Sequence, residues 1–333
     1  MKTDANPRVE LIALGGTIAS VPRADAAGVF PDLTAQDIIN AVPGVSRLAT
    51  IHAQTFAATP SVELDLHLLH QLAGLIQRLE AEGVAGFVIT QGTDTIEETA
   101  YVLDLMHSGR SPVVVTGAMR NPSLPGPDGP ANVFAAIACA ACPDLRDAGV
   151  LVVMNDTIHA AAWVQKSDTS SVGAFTSPAP LGWLAEGKPS LYAKPRRQLS
   201  LSIPGGVTAP FVPILKPGIG EAPLLVEAAL QHKAAGLVVE LSGGGHARRD
   251  WAEALGKAAR HIPVVFTSRT RGGRVLNNTY GQPGGEIDLI ARGLIPGGDL
   301  DALKARLLLS LLLVAGAPGD FSKYAKLSWS NPS

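Results

Sequence analysis

Thiol chemistry is nearly absent from this chain, which carries only Cys139 and Cys142 among its 333 residues. Two thiolates cannot complete a four-ligand zinc site, and no histidine cluster lies nearby in sequence to supply the rest. Packing within the Ala-rich, helix-like segment Ala131 to Cys142 is the simpler role for both. None of the eight histidines falls into a ligand spacing such as HExxH, so no metal is expected. Charge is scarce too: 17% of residues are charged, the formal net charge is -2, and Lys and Arg are mostly scattered. No basic stripe is left to track phosphates or an anionic bilayer, so neither nucleic acid nor a membrane is an expected partner. Long apolar runs are missing as well. The most apolar stretch, Leu307 to Ala317, is interrupted by Ser310 and falls well short of the ~20 residues a spanning helix needs; it reads as a core or subunit-interface helix. Met1 to Pro7 is polar and Val9 to Leu14 is too short for a signal-peptide core, which gives a cytoplasmic expectation.

What is present is enough apolar material, 46% of the chain, to bury the cores of two ordinary domains and to exclude a disordered polymer. Short, nearly continuous apolar runs recur at Val9 to Leu14, Gly86 to Thr90, Pro112 to Thr116, Gly149 to Met154, Gly236 to Leu241 and Ile262 to Thr267. Runs without period-two alternation suit strands buried on both faces, hence a parallel sheet. Helical spacing lies between them. Leu64, Leu68, Leu72, Leu75, Ile76 and Leu79 form one predicted face, and Ile96, Ala100 and Leu103 another. Trp251 to Ala259 and Leu300 to Val314 are further helix candidates. Strands alternating with helices predict an α/β fold. Five prolines and four glycines interrupt all periodicity between Ile203 and Pro223. The expectation is a larger N-terminal domain (1–203) with a mainly parallel sheet flanked by helices, a linker (204–223) and a smaller C-terminal α/β domain (224–333). No internal repeat or low-complexity tract appears.

Four polar or Gly-rich segments each follow a predicted strand closely: Gly15-Gly16-Thr17, Gln91-Gly92-Thr93-Asp94-Thr95, Gly117-Ala118-Met119-Arg120 and Gly243-Gly244-Gly245-His246. In open α/β sheets, ligands bind in the crevice outside the carboxyl ends of the strands. Gly15 and Gly16 allow a sharp bend and leave the Thr17 hydroxyl at a strand tip. The run GGTIAS matches neither GxxxxGK[ST] nor GxGxxG, which disfavours a phosphate cradle. Thr95 followed by Glu98 has the spacing of a capping box. Thr93 and Asp94 sit just ahead of it, beside a helix N-terminus carrying roughly half a positive charge, where an anion or developing oxyanion is favoured. A threonine nucleophile needs a base, and a lysine serves if it is uncharged part of the time. Lys166 is the candidate in character, although most lysines are solvated surface groups.

GGTIA (Gly15 to Ala19) and GTDT (Gly92 to Thr95) together resemble the two signature loops of the bacterial-type L-asparaginase and glutaminase family. The resemblance continues through VTGAMR (Val115 to Arg120), DGPAN (Asp128 to Asn132), GVLVVMND (Gly149 to Asp156) and VQKSDT (Val164 to Thr169). It implies Thr17 as nucleophile and Thr93, Asp94 and Lys166 as a second catalytic constellation. It implies substrate contacts from Gly16, Ser61, Gly92, Asp94 and the backbone carbonyl of Ala118. Ser61 is also placed to cap a helix before Val62, and the two roles can coexist. Glu286, in GGEID, stands where the family has an acidic residue that completes a neighbouring subunit's active site; without the resemblance it reads as a solvated charge. The implied reaction is acyl transfer from the side-chain amide of L-asparagine to Thr17, then hydrolysis. No cofactor is expected, the partner is a small amino-acid substrate, and the implied assembly is a homodimer or homotetramer.

The pattern is broken at several places. Leu14 stands for the usual threonine before the two glycines, and Gln91 for the usual histidine before GTDT. The segment Ser20 to Asp32 lacks the lid tyrosine often found there, Phe30 being its nearest aromatic. GGGHA replaces an Asn-bearing loop and puts His246 near the neighbour's site. Related readings are a glutamine or D-asparagine amidase and a catalytically weak amino-acid binder. A nucleotide-binding α/β enzyme is a distant third, motivated only by Gly15 and Gly16.

Overall fold

The structure is a computed structural model describing residues 6–22, 28–31, 33–193, 199–203, 205–206 and 208–325. It divides into two compact units, Met1–Ser200 and Leu201–Ser333. Part of the Ser20 to Asp32 segment, the Phe30 side chain, and positions 204 and 207 of the expected linker lie outside the described residues.

The first unit is built on an eight-stranded sheet: β1 (Arg8–Ala13), β2 (Thr50–Thr55), β3 (Gly86–Thr90), β4 (Val113–Thr116), β5 (Val150–Met154), β6 (Thr157–Ala160), β7 (Gly182–Ala185) and β8 (Lys188–Leu191). Their spatial order is β8-β7-β6-β5-β4-β3-β1-β2. The β2 to β5 portion is parallel and the last three strands are added antiparallel. Valine and isoleucine fill the central strands because both faces are covered. On one face Val9, Leu11, Val88, Val114 and Leu151 join a core with Val133 and Ile137 of the Gly129–Ala140 helix. The alternate positions Ile12, Phe87, Ile89, Val113, Val115 and Val152 are equally buried. Cys139 belongs to that first core and Cys142 packs at its edge, both as free thiols; burial pushes the Cys139 thiol well above its ordinary range.

The chain turns from β1 to β2 on one side and then crosses to β3 on the other. The order 2-1-3-4-5 is a switch-point topology, which opens a crevice between the carboxyl ends of β1 and β3. Two expectations about flanking elements change here. The helix expected at Leu64 starts at Leu66, capped by Asp65 accepting from Leu68 N at 2.8 Å. Leu64 is therefore outside it, and Leu66, Leu69, Leu72 and Ile76 form the buried face. Ser61 does not cap this helix; it opens the 3-10 turn Ser61–Glu63 instead.

The second unit carries a four-stranded parallel sheet in the order β9 (Ile214–Leu215), β10 (Leu237–Leu241), β11 (Val264–Ser268) and β12 (Ile295–Pro296). Leu237, Val239 and Phe266 pack with Trp251 and Leu255 of the Arg249–Ala259 helix. The apolar Leu307 to Ala317 stretch falls largely in the Ala302–Val314 helix, where Leu307 through Leu312 are buried within this unit. Among the described residues, no helix is long and apolar enough to cross a membrane.

Candidate active site

The crevice is set by backbone contact. Leu14 N extends the β1–β3 pairing by donating to Thr90 O at 2.8 Å, and Gly16 then adopts φ 88° and meets the start of the next loop. A Cβ at Gly16 would lie 2.0 Å from Gly92 N, so the two glycines pass each other with no room for any side chain. A Cβ on Gly92 would in turn sit 2.8 Å from Ser61 Oγ. These two approaches bring the segments carrying Thr17, Thr93 and Ser61 to one place. Thr17 is half-buried at the start of the Thr17–Ala19 turn, whose entry is held by Ser20 Oγ donating to Gly16 O at 2.8 Å.

Thr93 and Asp94 lie in the 3-10 turn Thr93–Thr95, ahead of the Ile96–Met106 helix. Thr93 is buried, at 6% exposure. Lys166 comes from the short strand Gln165–Lys166, whose partner is Phe175–Thr176. Its backbone N–H donates to Glu97 Oε2 at 3.2 Å, anchoring the strand beside the helix that follows Asp94. Its ammonium nitrogen donates to Thr93 Oγ1 at 2.9 Å and to Asp94 Oδ1 at 2.6 Å. The lysine side chain is only 14% exposed while the Asp94 side chain is 66% exposed. The solvated-surface reading of Lys166 therefore gives way to a largely enclosed amine joining two polar groups. The arrangement supplies a buried hydroxyl, a route for its proton and an exposed carboxylate able to orient the amine.

Thr95 corrects the sequence reading. It occupies the N-cap position of the Ile96–Met106 helix, but its side chain makes no cap hydrogen bond. The hydroxyl instead donates to Ser61 O at 2.9 Å. Helical φ/ψ and propensity alone can start this helix, so the capping-box pattern does not dictate where the hydroxyl points.

The Gly117–Arg120 loop, with buried Ala118, is held by residues to which sequence reasoning assigned no task. Asp128 accepts from Met119 N at 3.0 Å and from Arg120 N at 2.8 Å. Asn132 Nδ2 donates to Gly117 O and to Asp128 Oδ2, both at 3.0 Å, while its Oδ1 accepts from Asn155 N at 3.0 Å. The DGPAN and ND segments were visible as motif fragments, and a buried Asn bridging two loops was the signal available in them.

In the second unit, Glu286 is fully buried rather than a solvated charge. Its Oε1 accepts from Thr279 N at 2.5 Å and Tyr280 N at 2.7 Å, and its Oε2 faces His246 Nε2 at 3.1 Å. Burial pushes this carboxyl up, but the backbone donors of Tyr280 and Thr279, with His246, outweigh it and hold it below the ordinary glutamate value. His246 also meets the Tyr280 ring edge-on, centroids 4.8 Å apart. Among the described residues, no group of three or more His, Cys, Asp or Glu side chains is arranged to hold a metal ion.

Comparison with known proteins agrees with this architecture over nearly the whole chain. Residues 8–197 match the family model described as "Asparaginase, N-terminal", and residues 212–323 match the "Glutaminase/Asparaginase C-terminal domain". A "Probable L-asparaginase" of Deinococcus radiodurans is 37% identical over 314 residues, covering 93% of this chain and 94% of that protein. A "Probable L-asparaginase periplasmic" of Haemophilus influenzae is 33% identical, covering 92% of this chain and 88% of its own. Among solved structures, a "Probable Cytoplasmic L-asparaginase" from Campylobacter jejuni superposes with a TM-score of 0.85 at 31% identity, over 96% of this chain and 99% of that one.

Proposed function

The chain belongs to the asparaginase and glutaminase family and is an asparaginase-type amidohydrolase, and from that premise we propose that it hydrolyses L-asparagine to L-aspartate and ammonia through an acyl-enzyme on Thr17. The observation that carries this reading is the Lys166 amine set between Thr93 Oγ1 and Asp94 Oδ1, at 2.9 and 2.6 Å, beside the Gly16–Gly92 crossing.

In the first half-reaction Thr17 Oγ attacks the side-chain amide carbon while its proton passes to Thr93, whose own proton moves on along the Lys166–Asp94 pair. Backbone N–H groups at the start of the Thr93 turn stabilise the developing oxyanion. The C–N bond then breaks, the proton goes to the leaving nitrogen, and ammonia departs past the Ala118 carbonyl. A β-aspartyl ester of Thr17 is left. In the second half-reaction water attacks this ester, the same relay takes the water proton, and Thr17 regains it as aspartate leaves. Ser61, Asp94 and the Gly16 and Gly92 backbone hold the α-carboxylate and α-ammonium in this reading. The proposed assembly is a homodimer or homotetramer in which Glu286 and His246 of one subunit complete another subunit's pocket, and the proposed compartment is the cytoplasm. Ammonia release from L-asparagine by wild type and Thr17→Ala tests the reading: near-complete loss in the variant is expected, and equal rates would remove Thr17 as nucleophile.

A further inference from the structure

The Thr95 hydroxyl is unused by the helix it precedes, and its alternative engagement ties three segments of the crevice together. It donates to the carbonyl of Ser61 at 2.9 Å. It also accepts from Gln91 Nε2 at 3.3 Å, and the same Gln91 nitrogen donates to Gly92 O at 3.2 Å. Gln91 is 1% exposed and Ser61 is 4% exposed, so water does not compete freely for these contacts. A hydroxyl that donates and accepts at once is polarised in both directions, and a short chain of such bonds is stiffer than its members taken singly.

The geometry points to Gln91 and Thr95 as positioning residues that fix the Ser61 turn against the Gly92–Thr93 loop, and thereby set affinity for the substrate's α-carboxylate and α-ammonium end rather than the rate of the acyl-transfer step. This rests on the amidase reading only for the identity of the ligand. The physical reason is that the Ser61–Glu63 turn has no helix of its own to hold it. The following helix is capped independently by Asp65, and Ser61 Oγ reaches the crevice only where the turn presses on Gly92. Release of the Ser61 carbonyl lets that turn drift. Thr93 and Lys166 keep their own bond, which involves neither Gln91 nor Thr95. The two effects are thus separable: substrate binding loosens while the proton relay stays assembled.

Thr95→Val replaces the hydroxyl by a methyl group of the same size, and Thr95→Ser restores the hydroxyl. The full-length enzyme and both variants are compared by kcat and KM for L-asparagine and by calorimetric titration with L-aspartate. Thr95→Val is expected to raise KM and the aspartate Kd about tenfold, the scale of one positioning hydrogen bond, with kcat within about twofold of wild type. Thr95→Ser is expected to return both toward wild type. Unchanged KM and Kd in Thr95→Val, a loss confined to kcat, or failure of Thr95→Ser to restore binding would overturn the inference. A lowered melting temperature with normal binding would also overturn it, since that marks a structural role alone. The titration separates this inference from the hydrolase reading. Wild type that binds aspartate but releases no ammonia contradicts the reaction, while a serine-rescued tenfold weakening in the same protein still supports the positioning role. Wild type that binds no aspartate contradicts both.

Discussion

Gly16→Ala is the substitution whose consequence the structure fixes most tightly. The new methyl group would lie 2.0 Å from Gly92 N and 2.3 Å from Gly92 Cα, where ordinary contact begins at 3.4 Å. Both partners are backbone, so no rotamer change relieves the overlap; the two loops must part by more than an ångström. Alanine at φ 88° adds backbone strain of ~1–2 kcal/mol, and forced overpacking typically adds ~1–3 kcal/mol. A total of about 2–5 kcal/mol corresponds to a fall in melting temperature of roughly 5–20 °C for a domain of this size. Misplacement of a reacting group by about an ångström costs on the order of 100-fold in rate. Gly83→Ala is the matched control, since Gly83 has φ 89° and nothing within 4 Å of its would-be Cβ. It should show the strain alone, with unchanged kcat/KM. Thermal melts and ammonia-release kinetics on both variants decide the matter. Gly16→Ala with wild-type kinetics and only the control's loss of stability would refute the claim that the Gly16–Gly92 approach builds the site.

Three further outcomes are expected. Lys166→Met should lower kcat for asparagine by about 10²–10⁴-fold, the range of a lost acid–base group; ammonia release within a few-fold of wild type would count against its role. Burial lowers the His159 pKa from 6.5 to about 4, so the unfolded chain takes up a proton there before the folded one does. Stability contributed by the neutral ring is complete above about pH 6.5 and drains away as pH falls toward 4, by roughly 3 kcal/mol; His159→Gln should flatten that part of the acid-denaturation curve, and an unchanged slope would contradict it. Glu286, held below its ordinary value of 4.5 mainly by backbone donors working against its burial, stabilises the fold above that pH and ceases to as pH falls through its folded-state value. Glu286→Gln should therefore show its largest deficit in urea melts near neutral pH and a shrinking one below 4.5; a deficit independent of pH would contradict this.

The parallel sheets were legible because burial on both faces turns a strand into a continuous apolar run, as in Val150–Met154 and Leu237–Leu241. Strands lacking such a run were missed. Thr50–Thr55 carries His52 and Gln54 at the sheet edge, and Gly182–Ala185 and Lys188–Leu191 are short antiparallel additions containing glycine or proline. At the site, the glycine loops were readable because close backbone approach demands glycine. Lys166 was legible only through the family resemblance, since local sequence says nothing about an amine brought to Thr93 from 73 residues away. Thr95 shows the opposite failure: a local pattern with a sufficient structural meaning concealed a tertiary contact with Ser61. Without the resemblance Glu286 reads as a solvated charge, because its partners Thr279, Tyr280 and His246 lie on loops that fold around it only in three dimensions.

The most direct measurement traps the intermediate itself. Wild type, mixed with L-asparagine, quenched in acid during turnover and digested, is analysed by peptide mass spectrometry for an aspartyl adduct. A base-labile ester on Thr17 is expected, and none in Thr17→Ala. An adduct carried by Thr93, or sustained wild-type turnover in a chain lacking the Thr17 hydroxyl, would contradict it.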